Sequence, residues 1–253
     1  MKIVSYNVNG IRAAINKGLL EWLREESPDI ICFQELKATI DQIPVLEIES
    51  LGYKSYFFPS KRKGYSGVGV LSKHEPLHVE YGMGIQKYDD EGRFLRTDFE
   101  NYSVVSVYHP SGTSGEERQD FKMKWLEDFS LYINSLKKKY NLILCGDYNI
   151  CHTEIDIHDP IRNAHNSGFL PEEREWIDQF IKSGFIDSFR YCNGDVKDRY
   201  SWWSYRFNAR TNNKGWRIDY IMVEDKLKDQ IVSADILYNV VHSDHCPITL
   251  QVK

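Results

Sequence analysis

Leu142-Ile143-Leu144-Cys145-Gly146-Asp147-Tyr148-Asn149 sets the architecture of the chain. Four apolar residues in a row, too few for a helix and followed by glycine, read as a strand buried on both faces. The strand delivers an Asp and an Asn two residues apart to its rim, where a rigid sheet can present them. On an extended backbone, side chains two apart face the same way. A carboxylate beside an amide can hold one water, the Asp accepting its proton and the Asn orienting it or donating to an anionic substrate oxygen. Taken alone, the stretch reads more simply as a strand-terminal Asx turn.

The same design recurs outward along the chain. Ile30-Ile31-Cys32-Phe33-Gln34 ends at Glu35, Val4-Ser5-Tyr6 at Asn7, and Val104-Val105-Ser106-Val107 at Tyr108 and His109. His242-Ser243-Asp244-His245-Cys246-Pro247 precedes a closing strand. An Asp beside a His fixes the imidazole only if the backbone turns them together. Singly, Glu35 reads as surface, Tyr108 as core and His245 as a satisfied structural histidine, so the joint occurrence carries the chemistry.

Further β-rich runs cover Asp29 to Phe33, Tyr53 to Phe58, Gly67 to Ser72, Phe94 to Phe99, Tyr102 to Tyr108, Asp219 to Val223 and Pro247 to Val252. The longest helical pattern runs from Glu116 to about Lys139, with Phe121, Trp125, Phe129, Ile133, Leu136 and Tyr140 at spacings of three and four. Helices are also expected over Lys17 to Glu25, Thr39 to Ser50 and Glu172 to Lys182, the last after Pro171. No linker, repeat or shift in composition divides residues 1–253, which predicts a single domain. Many strands with helices at long intervals predict an α/β fold of two packed, mostly antiparallel sheets with helices outside.

Composition narrows the function. The 253 residues are 42% hydrophobic and 27% charged, a globular balance rather than a disordered one. Thirty-two Lys and Arg against 37 Asp and Glu leave −5, which excludes a polyanion grip over the whole surface. The charge is segregated. Leu51 to His74 carries +5 with no acid, and so does Arg199 to Ile218, leaving −15 elsewhere. The first of these reads as a basic hairpin loop. The second also holds Tyr200, Trp202, Trp203, Tyr205, Phe207 and Trp216. Its cations can track phosphates while its aromatics stack on bases; the alternative is a Trp-rich pair of core strands with arginines snorkelling outward. In either case alternation over 202–207 would bury one face. Five scattered cysteines without a C-x-x-C pair argue against a disulfide framework or zinc knuckle, and for a reducing compartment. With no apolar run near the ~18 residues of a membrane span, a cytoplasmic protein off the membrane is expected.

Asn7, Glu35, Tyr108, Asp147-x-Asn149, Gly215-Trp216-Arg217-Ile218-Asp219-Tyr220 and Ser243-Asp244-His245, in that order, resemble the exonuclease III family of apurinic/apyrimidinic endonucleases. That family lies within the endonuclease/exonuclease/phosphatase superfamily. Gln34-Glu35-Leu36-Lys37, Tyr65-Ser66-Gly67-Val68-Gly69, Asn166-Ser167-Gly168-Phe169 with Glu172-Glu173-Arg174, and Asn208-Ala209-Arg210 resemble its DNA-repair branch. The resemblance implies a four-layer, deoxyribonuclease I-like sandwich and metal-dependent hydrolysis of duplex DNA 5′ to abasic sites, with 3′–5′ exonuclease and 3′-end trimming. Abasic or recessed 3′ ends would be the substrates, and the enzyme a monomer.

By the same resemblance, Glu35 would hold Mg²⁺ (or Mn²⁺) with Asn7 and Asp244 assisting. Asp147 would activate or orient the water. Asn7, Asn149 and His245 would contact the phosphate, Asp219 would orient His245, and Tyr108 would touch the phosphate or leaving group. Trp202, Trp216 and Ile218 would line the lesion pocket. Asn163, Asn166, Arg12, Lys37, Tyr65 and Arg210 would contact DNA. Asn9 stands where some relatives carry an acid, and Asp159 where some carry an amide. The same motifs occur in phosphoesterases acting on lipid or inositol phosphates, which would show no preference for an abasic duplex. A non-catalytic nucleic-acid-binding module would have no physical need for the full carboxylate, amide and histidine set.

Overall fold

A computed structural model describes residues 1–253. Twelve strands form two six-stranded sheets. The first has the order β11-β12-β1-β2-β4-β3, built from β1 (Lys2–Asn7), β2 (Ile30–Gln34), β3 (Lys54–Phe58), β4 (Val68–Ser72), β11 (Ile231–Ile236) and β12 (Ile248–Val252). The second has the order β5-β6-β7-β8-β10-β9, built from β5 (His78–Tyr81), β6 (Phe94–Asp98), β7 (Ser103–Tyr108), β8 (Leu142–Asp147), β9 (Phe185–Asp187) and β10 (Asp219–Glu224). Each sheet contains one parallel pair, β1 with β2 and β7 with β8; the other pairings are antiparallel. The expected α/β sandwich of two mostly antiparallel sheets flanked by helices is what the chain forms.

Three layers of apolar contact hold the stack together. Between the sheets lie Ile3, Ile30, Cys32, Val70, Val104, Ile143, Cys145, Ile221 and Leu250. Outside the second sheet, α5 (Glu116–Leu136) buries Trp125, Leu126, Phe129, Ile133 and Leu136, against α7 (Pro171–Lys182) and the strands. At roughly 1.5–3 kcal/mol per large apolar side chain, that stripe is enough to dock the helix. Outside the first sheet, α1 (Ile11–Ile15), α2 (Leu19–Glu26) and α3 (Val45–Ser50) cover Val4, Tyr6, Ile31 and Phe33. Three short helices, α4 (Gln86–Asp89), α6 (Pro160–Asn163) and α8 (Ser188–Asn193), fill connections.

Several expectations shift. The helix over Thr39 to Ser50 is broken at Pro44, leaving a 3₁₀ turn at Ile40–Gln42 before α3. Residues 205–213 are turns rather than strand: Trp203 is buried, Tyr205 and Phe207 are exposed, and no face alternates. Residues 51–74 do form a hairpin, β3 to β4, with Lys61, Arg62 and Lys63 at its tip. All five cysteines are free, and no helix is long and apolar enough to cross a membrane.

Candidate active site

Pairing register brings the strand tips to one edge. Asn7 at the end of β1 pairs with Gln34, so Glu35 follows beside it. Tyr108 at the end of β7 pairs with Asp147 at the end of β8, and Asp219 at the start of β10 pairs with Asp147 from the other side. Isolated bridges tie Trp202 to both Trp216 and His245. Beyond their tips the strands turn sharply: Asn9, Glu35, Lys37 and Asn149 all adopt left-handed backbone, with φ between +45° and +53°. Such conformations cost about 1 kcal/mol or more each and persist where surrounding structure imposes them.

The side chains form one network. Asn7 Nδ2 donates to Glu35 Oε1 and Asp147 Oδ2, 2.9 Å each. Asn149 N donates to Asp147 Oδ1 at 2.8 Å, so the Asx turn and the catalytic-looking pair are the same object. Asn149 is not extended from Asp147 as an ideal strand would have it. Its left-handed turn nonetheless brings Nδ2 to 3.3 Å from Asp147 Oδ2 and 2.9 Å from the His109 carbonyl. His245 Nδ1 donates to Asp219 Oδ2 at 2.9 Å, the same oxygen that accepts from Ser201 Oγ at 2.6 Å. His245 Nε2 faces Asp147 Oδ2 at 3.9 Å.

These contacts set the protonation states. Burial, then the charges of Asp219 and Glu35, push the Asp147 carboxyl up to about 8 against the pull of His245. Burial opposes charge on His245, but Asp219 first, then Asp147 and Asp244, outweigh it and hold the imidazole up at about 10. Burial alone would raise Asp244; the His245 charge and hydrogen bonds from Asn9, Trp202 and Ser243 keep it below the usual range. The site thus sets a carboxyl held above its ordinary range beside an imidazole held in its cationic form.

Beside this network opens a cleft of about 640 Å³. Glu35, Tyr108, Asp147, Asn149, Asp244 and His245 form its polar side. Trp202, Trp216 and Ile218 form its apolar side, with the two indoles edge-to-face at 5.9 Å. Trp202 belongs to both sides, since its Nε1 donates to Asp244 Oδ2 at 3.0 Å.

The donor atoms of Glu35, Asp147 and His245 lie within 4.8 Å of one another. Asp244, expected as a metal residue, is outside that group: Asn9 Nδ2, Ser243 Oγ and Trp202 Nε1 occupy its carboxylate.

The expected DNA-contacting residues divide. Arg12 is exposed on α1, and Asn166 lines the cleft. Asn163 is not a lining residue; its Oδ1 accepts from Asn166 Nδ2 at 2.7 Å. Lys37 pairs with Glu35 at 2.8 Å and bonds to Asn9 Oδ1. Tyr65 accepts from Arg93 Nη2 at 2.9 Å and Arg118 Nη2 at 2.6 Å. Arg210 gives its guanidinium to the carbonyls of Ser243, Tyr238 and Val240. It clamps the turn carrying Asp244 and His245.

The cation count of the two basic segments also shrinks. Arg217 is buried against Asp156 and Asp187, Arg199 pairs with Asp235, Lys61 with Asp90 and Lys54 with Glu75. Arg62, Lys63, Arg206 and Lys214 remain exposed without an acidic partner. Neither outward-snorkelling arginines nor a uniformly basic stripe describes the 199–218 segment.

Ser201 and Lys122 escaped sequence reasoning, and Glu173 stands in the Glu172-Glu173-Arg174 motif without a role of its own. A serine one residue before Trp202 carries no signal. Lys122 sits one position from Phe121 in a helix stripe, where a lysine normally marks solvent.

The chain matches the endonuclease/exonuclease/phosphatase family over residues 4–245. It is 47% identical over 254 residues to an exodeoxyribonuclease of Bacillus subtilis (strain 168), covering all of both chains. It is 41% identical over 252 residues to the DNA repair nuclease APEX1 of Danio rerio, covering 99% of this chain and 81% of that protein. Among solved structures, an AP endonuclease from Archaeoglobus fulgidus superposes with a TM-score of 0.91 at 28% identity, covering 100% of this chain and 99% of that one. The 3′ phosphatase NExo from Neisseria, bound to a product DNA hairpin, gives 0.92 at 25% identity, with the same coverage. The chain belongs to the endonuclease/exonuclease/phosphatase family, among its DNA-repair nucleases.

Proposed function

We propose that this phosphodiesterase cuts duplex DNA 5′ to abasic sites and trims 3′ ends, acting with Mg²⁺ as a monomeric cytoplasmic enzyme whose residues 1–253 form one catalytic domain. The observation that carries the reading is Trp202, which walls an aromatic pocket and hydrogen-bonds into the hydrolytic network. An abasic sugar has no base to unstack or unpair, so extruding it costs least, and a narrow aromatic pocket excludes an intact nucleotide. That wall has no use on a small soluble headgroup, which disfavours the lipid or inositol phosphate alternative.

The donor set suits a hard divalent cation. Glu35 and Asp147 offer carboxylate oxygens held at a fixed spacing by the Asn7 amide they share, and few carboxylates beside substrate phosphate suit Mg²⁺, with Mn²⁺ tolerated. Bound there, Mg²⁺ supplies positive charge to the phosphate oxygens.

This chain's own groups do the rest. Asp147 Oδ2 takes a proton from the attacking water, whose oxygen bonds to phosphorus as the P–O3′ bond breaks and O3′ leaves as a hydroxyl with a proton from solvent. Burial and the neighbouring Asp219 and Glu35 charges hold that carboxyl above its ordinary range, which makes it a stronger base than a surface carboxylate. The cationic His245, free at Nε2, donates to a non-bridging oxygen where charge develops. Asn149 and Asn7 donate to phosphate oxygens, and Tyr108 contacts the leaving side. Arg12, Lys37, Tyr65, Asn163, Asn166 and Ile218 bind or shape the DNA, while Arg210 holds the turn that carries Asp244 and His245, and Asp244 steadies the metal side through Asn9.

Purified protein mixed with a 5′-labelled abasic duplex and Mg²⁺ tests the reading. Cleavage by wild type that is lost in Glu35→Ala supports it; an intact abasic strand with wild type would overturn it.

A further inference from the structure

Lys122 on α5 and Glu173 on α7 form an ion pair at 2.6 Å in which both side chains are completely buried. Burying two charges carries a desolvation cost that their attraction often fails to return, and apolar replacements of similar volume are frequently as stable. Stability alone therefore gives no account of the pair. Its other bonds do. Lys122 Nζ also donates to the Asn149 carbonyl at 2.9 Å. Glu173 Oε2 accepts from Gly168 N at 2.6 Å and Leu170 N at 3.0 Å, while Oε1 accepts from Gln119 Nε2 at 3.0 Å.

Gly168 is where this network meets the pocket. A Cβ there would lie 2.8 Å from Trp216 Cζ3 and 3.2 Å from the Asn149 carbonyl, and its φ of +98° admits little but glycine. The Gly168 carbonyl in turn accepts from Cys151 N at 2.7 Å. The backbone of Gly168 is thus wedged between the indole wall and the Asn149 turn. One carboxylate holds the wedge, and its ammonium partner holds the turn.

We propose that Lys122 and Glu173 are positioning residues that fix the separation between the hydrolytic edge at Asn149 and the selective wall at Trp216. Hydrolysis and rejection of intact nucleotides are then coupled through one buried pair, neither member of which touches substrate. This rests on the abasic-site reading above. Loosening the pair lets Gly168 withdraw, which widens the pocket and releases Asn149 together. Losses of about 10–100-fold are the scale expected when a catalytic group shifts by about 1 Å.

The test uses the full chain with Lys122→Met and Glu173→Gln combined, which removes both charges at near-constant volume, and Glu173→Gln alone. Thermal melts establish folding. Single-turnover rates are then read on an abasic duplex and on an intact 3′ recessed end, with Lys124→Met, an exposed lysine of the same helix, as reference. The expected result is a folded double variant whose rate on the abasic duplex falls 10–100-fold, with KM within threefold and the abasic-over-intact preference down at least tenfold. Unchanged rate and preference in the folded double variant would overturn the proposal. So would a double variant that fails to fold while Glu173→Gln keeps full rate and preference, which makes the pair a stability element only. If wild type itself showed no abasic preference, the functional reading would fall first, and the two failures are thereby distinguished.

Discussion

Replacing Asp219 by Asn isolates what the buried carboxylate does for His245. In the native site Asp219 is the leading cause that lifts His245 to about 10 in spite of burial. At pH 7.5 the imidazole is therefore held in its cationic form. Without the Asp219 charge it falls back toward its ordinary 6.5 or below, so that about a tenth or less stays protonated at that pH. An Asn at 219 can also accept or donate at Nδ1, which permits the wrong tautomer, a fault that is severe in other imidazole–carboxylate pairs. Loss of one charged donor to a developing oxyanion costs about 10²–10³ in rate, and Asp219→Asn should fall in that range at pH 7.5.

The sign of the pH effect is more diagnostic than the size. Asp219 is also the largest charge contribution raising Asp147, so its removal lowers the pH at which Asp147 becomes an available base. Both shifts move the active protonation state toward acid. Single-turnover cleavage of an abasic duplex from pH 5.5 to 9.5 at saturating Mg²⁺, which is common to both proteins, should show an optimum displaced downward by at least about one unit. A variant with the wild-type optimum, or a loss under threefold, would refute the electrostatic role given to Asp219.

Three further substitutions probe the sheet packing, a buried ion pair and the pocket wall. In Gly146→Ala the new Cβ would lie 2.1 Å from the Val107 carbonyl oxygen inside the β7–β8 pairing, and the variant should not accumulate as folded protein; an unaltered melting temperature would contradict the packing. Asp156→Asn leaves the buried Arg217 short of a partner it holds at 2.6 Å, and should cost about 3–5 kcal/mol in urea unfolding at pH 7. The Arg217 and Arg190 guanidiniums overcome burial and hold the Asp156 carboxyl far below its ordinary 3.8, so its contribution is present above that value and fades as pH drops beneath it. The difference between variant and wild type should accordingly shrink between pH 4 and pH 2.5, and a constant gap would count against the ion pair. Trp202→Ala removes the shared wall and the Asp244 bond, and kcat/KM on the abasic duplex should fall by about 10–100-fold, more than on an intact recessed end; equal losses on both would remove Trp202 from lesion selection.

What the sequence makes legible is the set of groups at strand tips. Asn7, Glu35, Tyr108 and Asp147 stand out because apolar runs stop abruptly at polar residues, and parallel pairing of β1 with β2 and β7 with β8 then carries all four to one edge. Groups whose role lies in a distant partner leave no such mark. Arg217 looks like a free cation until Asp156 and Asp187 enclose it. Arg210 looks like a phosphate ligand until three carbonyls from the 238–243 turn claim it. Lys122 is hidden by the helical pattern that makes its neighbours legible. Short strands such as β5 and β9 escape for a simpler reason: three or four residues are too few to show a period. The net charge of −5 takes its meaning from the same partners. Glu35, Asp147, Asp219 and Asp244 lie in the site, and the two basic segments keep only Arg62, Lys63, Arg206 and Lys214 exposed and unpaired, so DNA binding should be weak, with the salt slope of about five phosphate contacts once Arg12 is included.

The most direct test of hydrolysis 5′ to the lesion is the fate of solvent oxygen. Cleavage of a single-site abasic duplex in ¹⁸O-labelled water, with both products weighed by mass spectrometry, should give an unlabelled 3′-hydroxyl strand. The other strand should carry one ¹⁸O in its 5′-phosphate. An unsaturated sugar on a 3′ end, or label absent from the phosphate, would contradict attack by water at phosphorus and the account built on Asp147 and His245.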